Sequence, residues 1–199
     1  MNLEPIKISR KTGQEKFYSD SGDLNIQLLD FWQWATSDLL SNATRGILAE
    51  FIVATDLGVS GEARNEWGAY DLETLDGIKI EVKTSGYLQS WYQEKLSTIG
   101  FDIKPTTFWN PATNKFEGER KRHSDFYIFC LLDHKDKRTV DPMKLDQWIF
   151  FILATEVLDK HLPKQKRLSL KQLLELEPVK CKYREIRNNL RNELKTNNA

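Results

Sequence analysis

The sequence is poor in cysteine, has no surplus of either charge and contains no long apolar run. Cys130 and Cys181 are its two cysteines and neither has a CxxC partner, so a disulfide scaffold and a cysteine zinc site are excluded. Lys and Arg number 29, as do Asp and Glu, so the formal net charge is zero. No apolar segment approaches the roughly 18 residues of a membrane-spanning helix, and we expect no membrane partner. Residues 1–5 lack a basic leader followed by an apolar stretch, and we expect a cytoplasmic protein.

The composition is that of a folded protein. Apolar residues make up 40% of the chain, and ten Phe, six Trp and six Tyr supply bulky core side chains. Wholesale disorder is therefore excluded, and a length of 199 residues predicts a single domain over residues 1–199.

Charge is distributed unevenly along the chain. Residues 160–199 hold eleven Lys or Arg against four Glu, which leaves the preceding part acidic. A basic segment of this kind is typical of a nucleic-acid partner, but a terminal helix with a solvated basic face has the same composition. Charge alone leaves both interpretations open.

Apolar spacing predicts helices near both ends of the chain. Intervals of three and four residues predict an N-terminal helix over residues 24–41 and C-terminal basic helices within 169–195. A second N-terminal helix is expected to end at Gly58, a typical C-terminal stop. Its apolar side is predicted from Ile47, Leu48, Phe51, Ile52 and Thr55.

Strand patterns occupy the middle of the chain. Residues 69–75 and 78–84 alternate around Asp76-Gly77, which predicts a hairpin, and 125–132 and 147–154 have the near-continuous apolar character of buried strands. Between them we expect a short helix from Ser85 to Leu96 and an irregular insert over 99–124. The order predicts an α/β fold with a mixed sheet and packed helices.

The hairpin carries the residues of greatest chemical interest. Burying Leu72 and Tyr70 on the side of Ile80 and Val82 fixes the pairing so that Asp71 shares a face with Glu81 and Lys83. A strict two-residue turn would put Asp71 on the opposite face, so we predict a three-residue loop or a bulge.

Two carboxylates and a lysine on one face form a hard, oxygen-rich site that suits Mg²⁺ or Mn²⁺. A bound metal and a neighbouring amine are the groups that phosphodiester hydrolysis needs. The structural alternative is an exposed cross-strand ion pair, worth at most about 1 kcal/mol. A third carboxylate, Glu50, is expected on the flank of the second helix, where an ordinary boundary glutamate is the alternative.

Glu50 on a helix, Asp71 at a strand and Glu81-Val82-Lys83 on the next strand resemble the PD-(D/E)XK, or restriction-endonuclease-like, nuclease superfamily. The resemblance implies a three-layer α/β/α fold, with a nuclease core over about residues 44–154 and a first strand within 59–66. The family's proline before the aspartate is Tyr70 here. Residues 81–91 also look like a pattern of uncharacterised bacterial members.

The same resemblance implies roles for individual residues. Asp71, Glu81 and the Val82 carbonyl would bind the metal, Glu50 would act directly or through water, and Lys83 would serve the attacking water. Ser85 and Gln89 would be auxiliary site residues.

Nucleic-acid contact is predicted mainly from the insert. Basic residues and one aromatic that could stack or wedge supply the predicted contacts: Lys104, Trp109, Lys115, Arg120, Lys121 and Arg122, with Ser85 nearby and His123 as a further phosphate contact. The alternative is that the aromatics close over the sheet edge.

These features predict a Mg²⁺-dependent deoxyribonuclease, an endonuclease of the restriction, defence or repair type, with DNA as partner. Restriction-like members often pair, which implies a homodimer. A first alternative is a catalytically silent module that binds nucleic acid or protein, although the joint presence of Asp71, Glu81 and Lys83 argues against decay. A second is an interaction protein with a chance carboxylate cluster, which predicts that Glu50, Asp71 and Glu81 lie far apart.

Overall fold

A computed structural model describes residues 3–197, in which the chain forms eleven strands and five α-helices. The first half contains β1 (Lys16–Ser19), β2 (Gly22–Gln27), α1 (Leu28–Thr36), α2 (Asn42–Leu57), β3 (Leu72–Glu73), β4 (Lys79–Gly86) and β5 (Gly100–Asp102). The second half contains β6 (Thr106–Asn110), β7 (Lys115–Lys121), β8 (Phe126–Leu132), β9 (Trp148–Ala154), α3 (Thr155–His161), β10 (Arg167–Ser169), α4 (Leu170–Glu175), β11 (Val179–Cys181) and α5 (Ile186–Asn197).

A five-stranded mixed sheet forms the centre of the fold. Its strand order is β11-β9-β8-β4-β3, and β4 and β8 run parallel while every other neighbouring pair is antiparallel. All seven residues of β8 are buried, which explains why this strand reads as a continuous apolar run. The predicted hairpin and the two predicted buried strands are confirmed as neighbours in this sheet.

Apolar layers cover both faces of the sheet. On one face α2 and α5 pack against Ile80, Val82 and Ile128, and on the other α3, α4 and the paired strands β5 and β10 pack against Tyr127 and Phe129. The predicted three-layer α/β/α architecture is confirmed.

The helix α2 ends at Gly58 as its sequence predicts, but the side that it buries differs from the predicted one. The Ser41 side chain accepts a hydrogen bond from the Thr44 amide, and Gly58 ends the helix with a φ of 76°. The predicted apolar side is right in part. Ile52 is buried and Leu48 packs against the core, but Ile47 and Phe51 are about half exposed, and Ala49, Val53 and Leu57 are buried instead. Packing against the sheet therefore buries a side of α2 that is shifted by about one residue from the helix's most apolar side.

Three other predicted elements are corrected by the structure. Residues 24–27 belong to β2, so the N-terminal helix is limited to Leu28–Thr36. Ser85 lies inside β4 and no helix forms between it and Leu96. In the described chain residues 59–66 contain no strand, so the first strand implied by the resemblance is missing there.

The insert over 99–124 is also more ordered than predicted. It contributes β5 to the second core layer, where Ile99, Phe101 and Ile103 are buried. The remainder forms an antiparallel hairpin of β6 and β7, which is a separate two-stranded sheet.

Across residues 3–197 no helix has the length and apolar character needed to cross a bilayer.

Core packing on β8 generates a stability prediction. Phe129 is fully buried and packs edge-to-face on Phe101 with 5.0 Å between ring centroids. We expect Phe129→Ala to lower the free energy of unfolding by about 3–5 kcal/mol, because it leaves a cavity in the core. Phe116→Ala removes a ring that is 73% exposed and should change it by less than about 0.5 kcal/mol. Urea unfolding measures both, and equal effects would contradict the described core.

Candidate active site

The β3–β4 hairpin sets the position of the first carboxylate. Leu72 pairs with Ile80 and Glu73 with Lys79, and the Asp71 amide donates to the Ile80 carbonyl at 3.1 Å. Residues 75–77 form the loop, closed by a bond from the Thr74 amide to the Ile78 carbonyl. Gly77 has a φ of 82°, a conformation that costs glycine little. The predicted three-residue loop is confirmed, and Asp71 directly precedes the first paired residue of β3.

Asp71 and the β4 residues form a tight local cluster. One Asp71 carboxylate oxygen accepts a hydrogen bond from the Val82 amide at 2.8 Å. On the same strand Lys83 Nζ lies 2.5 Å from Glu81 Oε1, and their side chains are only 28% and 20% exposed. Tyr70 is not part of the buried face, since its ring lies beneath the Lys79 amine and its hydroxyl donates to Glu73. That part of the predicted hairpin face is corrected.

Glu50 reaches the site from α2 and is held by an arginine that the sequence analysis missed. Its side chain is 12% exposed and accepts a two-pronged interaction from Arg64, with distances of 2.5 and 2.9 Å. Arg64 follows α2 in a segment without regular structure, and no spacing rule links it to Glu50 in the sequence. A fork of this kind fixes a carboxylate in both position and orientation.

The three carboxylates repel one another. Burial raises the pKa of Glu81, with Lys83 acting against it and with Asp71 and Glu50 adding to the rise. Burial likewise raises the pKa of Glu50, where the Arg64 hydrogen bond opposes the rise and Asp71 strengthens it. The charges of Asp71 and Glu50 therefore both act on the Glu81 carboxylate, and the charge of Asp71 acts on Glu50 as well.

Lys83 is the cation at the centre of this environment. Burial on its own would lower the pKa of Lys83, but the carboxylates of Glu81 and Asp71 outweigh burial and raise it. The amine therefore stays protonated at neutral pH.

The residues of the cluster line two different cavities. One of about 210 Å³ is lined by Glu81 and Lys83 with Asp102, Lys104 and His123, and another of about 270 Å³ is lined by Glu50, Asp71 and Arg64. Asp102 is a further carboxylate that the sequence analysis did not select, and its charge also raises the pKa of Lys83.

The donor set fits a hard divalent cation in its chemistry. Carboxylate oxygens are the donors such an ion favours, and the Glu81 carboxylate is subject to the charges of both Asp71 and Glu50. Val82 stands beside Asp71, since its amide donates to the Asp71 carboxylate. In the described chain, however, no three His, Cys, Asp or Glu side chains stand together as a ready ligand group. Arg64 and Lys83 hold Glu50 and Glu81 in ion pairs instead.

The two auxiliary residues lie together but in another cavity. Ser85 Oγ accepts a bond from the Gly100 amide at 3.4 Å, and buried Gln89 donates to Ser97 Oγ at 3.2 Å. Both line a cavity of about 460 Å³ near the end of β4, and neither lines the cavities of Glu81 or Asp71.

The predicted nucleic-acid contacts are only partly on the surface near the site. Lys104 lines the Glu81 cavity, 3.5 Å from Asp102 Oδ2, and His123 lines it too, donating from Nε2 to the Thr106 carbonyl at 2.9 Å. Lys115 and Lys121 are exposed on β7. Two others have internal partners, since Arg120 Nε donates to the Pro105 carbonyl and Trp109 packs on Trp67 with 5.0 Å between centroids.

Arg122 requires a correction. Its side chain is fully buried, its NH1 pairs with Asp159 at 2.5 Å, and its other donors bond to the carbonyls of Ile103, Leu162 and Gln165. The guanidinium ties the insert to the segment after α3 and has no exposed donor for a phosphate. The expected exposure of Arg122 is corrected, while its contact with a phosphate stays a prediction, since the residue also lines the cavity of Glu81 and Lys83.

Comparison with known families gives the class of protein to which this mixed-sheet fold belongs. A profile described as bacteriophage T4 endonuclease IV matches residues 2–172, so the chain belongs to the bacteriophage T4 endonuclease IV family. Its class is that of a DNA endonuclease. A search of curated proteins finds no match.

The Glu81–Lys83 pair generates a titration prediction. Lys83 holds down the pKa of Glu81, so we expect Lys83→Met to raise that pKa further above the ordinary glutamate value of 4.5. A group with a raised folded pKa keeps its proton longer in the folded state, so the variant should lose stability as pH rises from 4.5 through the new pKa. Carboxyl ¹³C NMR and unfolding at several pH values measure the two effects.

Lys79→Met is the matched control for this measurement. Lys79 lies on the same strand and face but is not among the groups that shift the Glu81 pKa. Equal Glu81 pKa values in the two variants would contradict the described ion pair.

Proposed function

We propose that the protein hydrolyses DNA phosphodiester bonds in a metal-dependent reaction with an active site of the PD-(D/E)XK type. The observation that carries the proposal is the hairpin register, which brings the Asp71 carboxylate to the amide of Val82, the residue between Glu81 and Lys83. Membership of an endonuclease family supports the reaction class. Restriction, defence and repair are the biological settings to which we extend the proposal.

In this proposal Asp71, Glu81 and the Val82 carbonyl hold Mg²⁺ or Mn²⁺, with Glu50 acting directly or through water. A divalent cation so bound supplies neutralisation of charge on the phosphate and a lowered pKa for a coordinated water. The mutual repulsion of the three carboxylates supports a cation at this position, because a positive charge relieves it.

Lys83 has a different role from a general base. Its raised pKa keeps the amine protonated, so it donates hydrogen bonds and positive charge to the attacking water and to phosphate oxygens. Lys104 and His123 line the same cavity and would bind the phosphates of the strand, while exposed Lys115 and Lys121 would attract it from solution.

A second candidate function is a silent DNA-binding module on the same fold. The observation that favours it is the pairing of Glu50 with Arg64 and of Glu81 with Lys83, which satisfies both carboxylates without a metal. We also extend the main proposal to a homodimer, for which α1 offers a surface because none of its residues is buried.

Cleavage of supercoiled plasmid tests the proposal. We expect nicking with Mg²⁺ or Mn²⁺ and none with EDTA. Asp71→Asn, Glu81→Gln and Lys83→Met should each lower the rate by at least about 100-fold, the scale for losing one charged group of a catalytic site. Two control variants carry the same changes in charge outside the site: Asp76→Asn removes a carboxylate from the exposed hairpin loop, and Lys79→Met removes an exposed amine. Both should cleave like wild type.

The outcomes separate the two candidates. Cleavage that persists in EDTA or in all three site variants would contradict the metal-dependent site. Binding of plasmid in a gel shift without nicking under any metal would favour the silent module. Single-stranded DNA and RNA substrates, run in parallel, identify the strand type.

A further inference from the structure

The cavity of about 460 Å³ at the end of β4 has an unusual lining. Thr84, Ser85 and Gly86 contribute one wall, and Asn42 and Arg45 from the first turn of α2 contribute another. Arg167 and Asp102, which are paired in register between β10 and β5, complete it. This cavity is separate from the two cavities that Glu50, Asp71, Glu81 and Lys83 line.

Arg45 is a buried cation without a carboxylate partner. It is only 3% exposed, and within the described chain no ion pair joins it to an acidic group. NH1 donates to the Leu40 carbonyl at 2.8 Å and weakly to Gln89 at 3.5 Å, and NH2 donates to Asn42 Oδ1 at 2.6 Å. Nε has no partner. Asp38 lies near enough to raise the pKa of Arg45 without forming an ion pair, but burial outweighs Asp38 and lowers that pKa. The buried charge is therefore only partly compensated, and an anion in the cavity would stabilise it.

A second orphaned group lines the same cavity. Thr84 Oγ1 is buried and has no hydrogen-bond partner. The hydroxyls of Ser85, Ser97 and Thr98 also line the cavity, as does exposed Arg167. Two guanidinium groups face one carboxylate, Asp102, which lies 3.5 Å from Lys104. Positive charge with several hydroxyl donors is the chemistry of a phosphate site.

The cavity adjoins the proposed active site. Ser85 follows Lys83 by two residues on one strand, a rise of roughly 6.6 Å, and Asp102 lines both cavities. Successive phosphates of a strand advance by roughly 3.4 Å along a duplex axis, so one or two nucleotides span this distance. A strand whose phosphate lies at Glu81 and Lys83 therefore brings another phosphate to the cavity.

We propose that the cavity lined by Arg45, Thr84 and Arg167 binds a backbone phosphate of the DNA strand next to the one that is cleaved. The assignment rests on the proposed function for its strand, but the anion site itself stands on the buried guanidinium and the orphaned hydroxyl. Arg45 would supply fixed charge from the first turn of α2, where the helix dipole adds to it. Burial lowers the pKa of Arg45, a cost that a phosphate would offset.

Binding of inorganic phosphate tests the anion site without DNA or cleavage. Thr84→Val keeps the side-chain shape, and Arg167→Met keeps the length of an exposed side chain. Arg45 is left intact because it also bonds to Leu40 and Asn42. We expect phosphate, compared with chloride at equal ionic strength, to raise the Tm of wild type and to raise it less in both variants. Arg191→Met, an exposed arginine of α5 near the opposite end of β4, should respond like wild type.

Oligonucleotide binding tests the strand assignment. Binding of labelled single-stranded DNA is measured by anisotropy in EDTA, with the Glu81→Gln change present in every protein to prevent cleavage. We expect Arg167→Met to weaken binding about tenfold and to lower the slope of log affinity against log salt by about 0.7, the contribution of one phosphate in a single strand. Replacing phosphates singly by neutral methylphosphonates should weaken binding at one position in the Arg167 protein, and the Arg167→Met protein should lose that sensitivity.

Each outcome decides a separate claim. No phosphate-specific rise in the Tm of wild type would overturn the anion site and leave the cavity to water. A rise in Tm with unchanged DNA affinity, salt slope and methylphosphonate profile in Arg167→Met would overturn the strand assignment and identify a site for a free anion. Loss of cleavage chemistry alone, with both binding results as expected, would overturn the proposed function but support this site.

Discussion

The register of the β3–β4 hairpin is the constraint on which the site depends. Side chains alternate across a strand, so a slip of one residue would move Asp71 to the opposite face from Glu81 and Lys83. A three-residue loop with Gly77 at a φ of 82° and the burial of Ile80 and Val82 against α2 both fix the pairing. A local turn and a distant helix thus specify the same alignment of β3 with β4.

The site balances like charges by enclosing them with cations. The Asp71 charge raises the pKa of both Glu50 and Glu81, while Arg64 limits the rise at Glu50 and Lys83 limits it at Glu81. Neither cation neutralises the cluster, because Asp71 bonds to the Val82 amide and pairs with no cation among the described residues. This residual negative charge distinguishes the edge of β4 from the cavity near Arg45, where the residual charge is positive. Arg45 of α2 and Arg167 of β10 therefore place positive charge beside the end of β4, while Asp71 and Glu81 place negative charge nearer its middle.

Sequence reasoning succeeded where the determinants are local. The hairpin, its loop length and the buried strands β8 and β9 follow from alternation and apolar runs, and Gly58 ends α2 as expected. Sequence reasoning failed where contacts between residues far apart in the chain determine which side chains are buried and paired. The buried stripe of α2 follows the sheet and not the most apolar side, so Ile47 and Phe51 are exposed. Arg64 and Arg122 find partners 14 and 37 residues away, Glu50 and Asp159, and no spacing rule identifies those pairs. The basic character of Arg122 predicted a surface role, but its four partners place it inside the fold.

The carboxylate of Asp71 also covers a backbone amide on an open edge of the sheet. β3 pairs with only Lys79 and Ile80 of the eight residues in β4, so in the described chain the next amide on that edge, at Val82, bonds to a side chain. Exposed backbone donors on an edge strand invite another chain to add to the sheet, and a negative charge at that position discourages it. The carboxylate that we propose for chemistry therefore also occupies an amide at which another strand would pair, which gives this position a structural reason to be acidic as well.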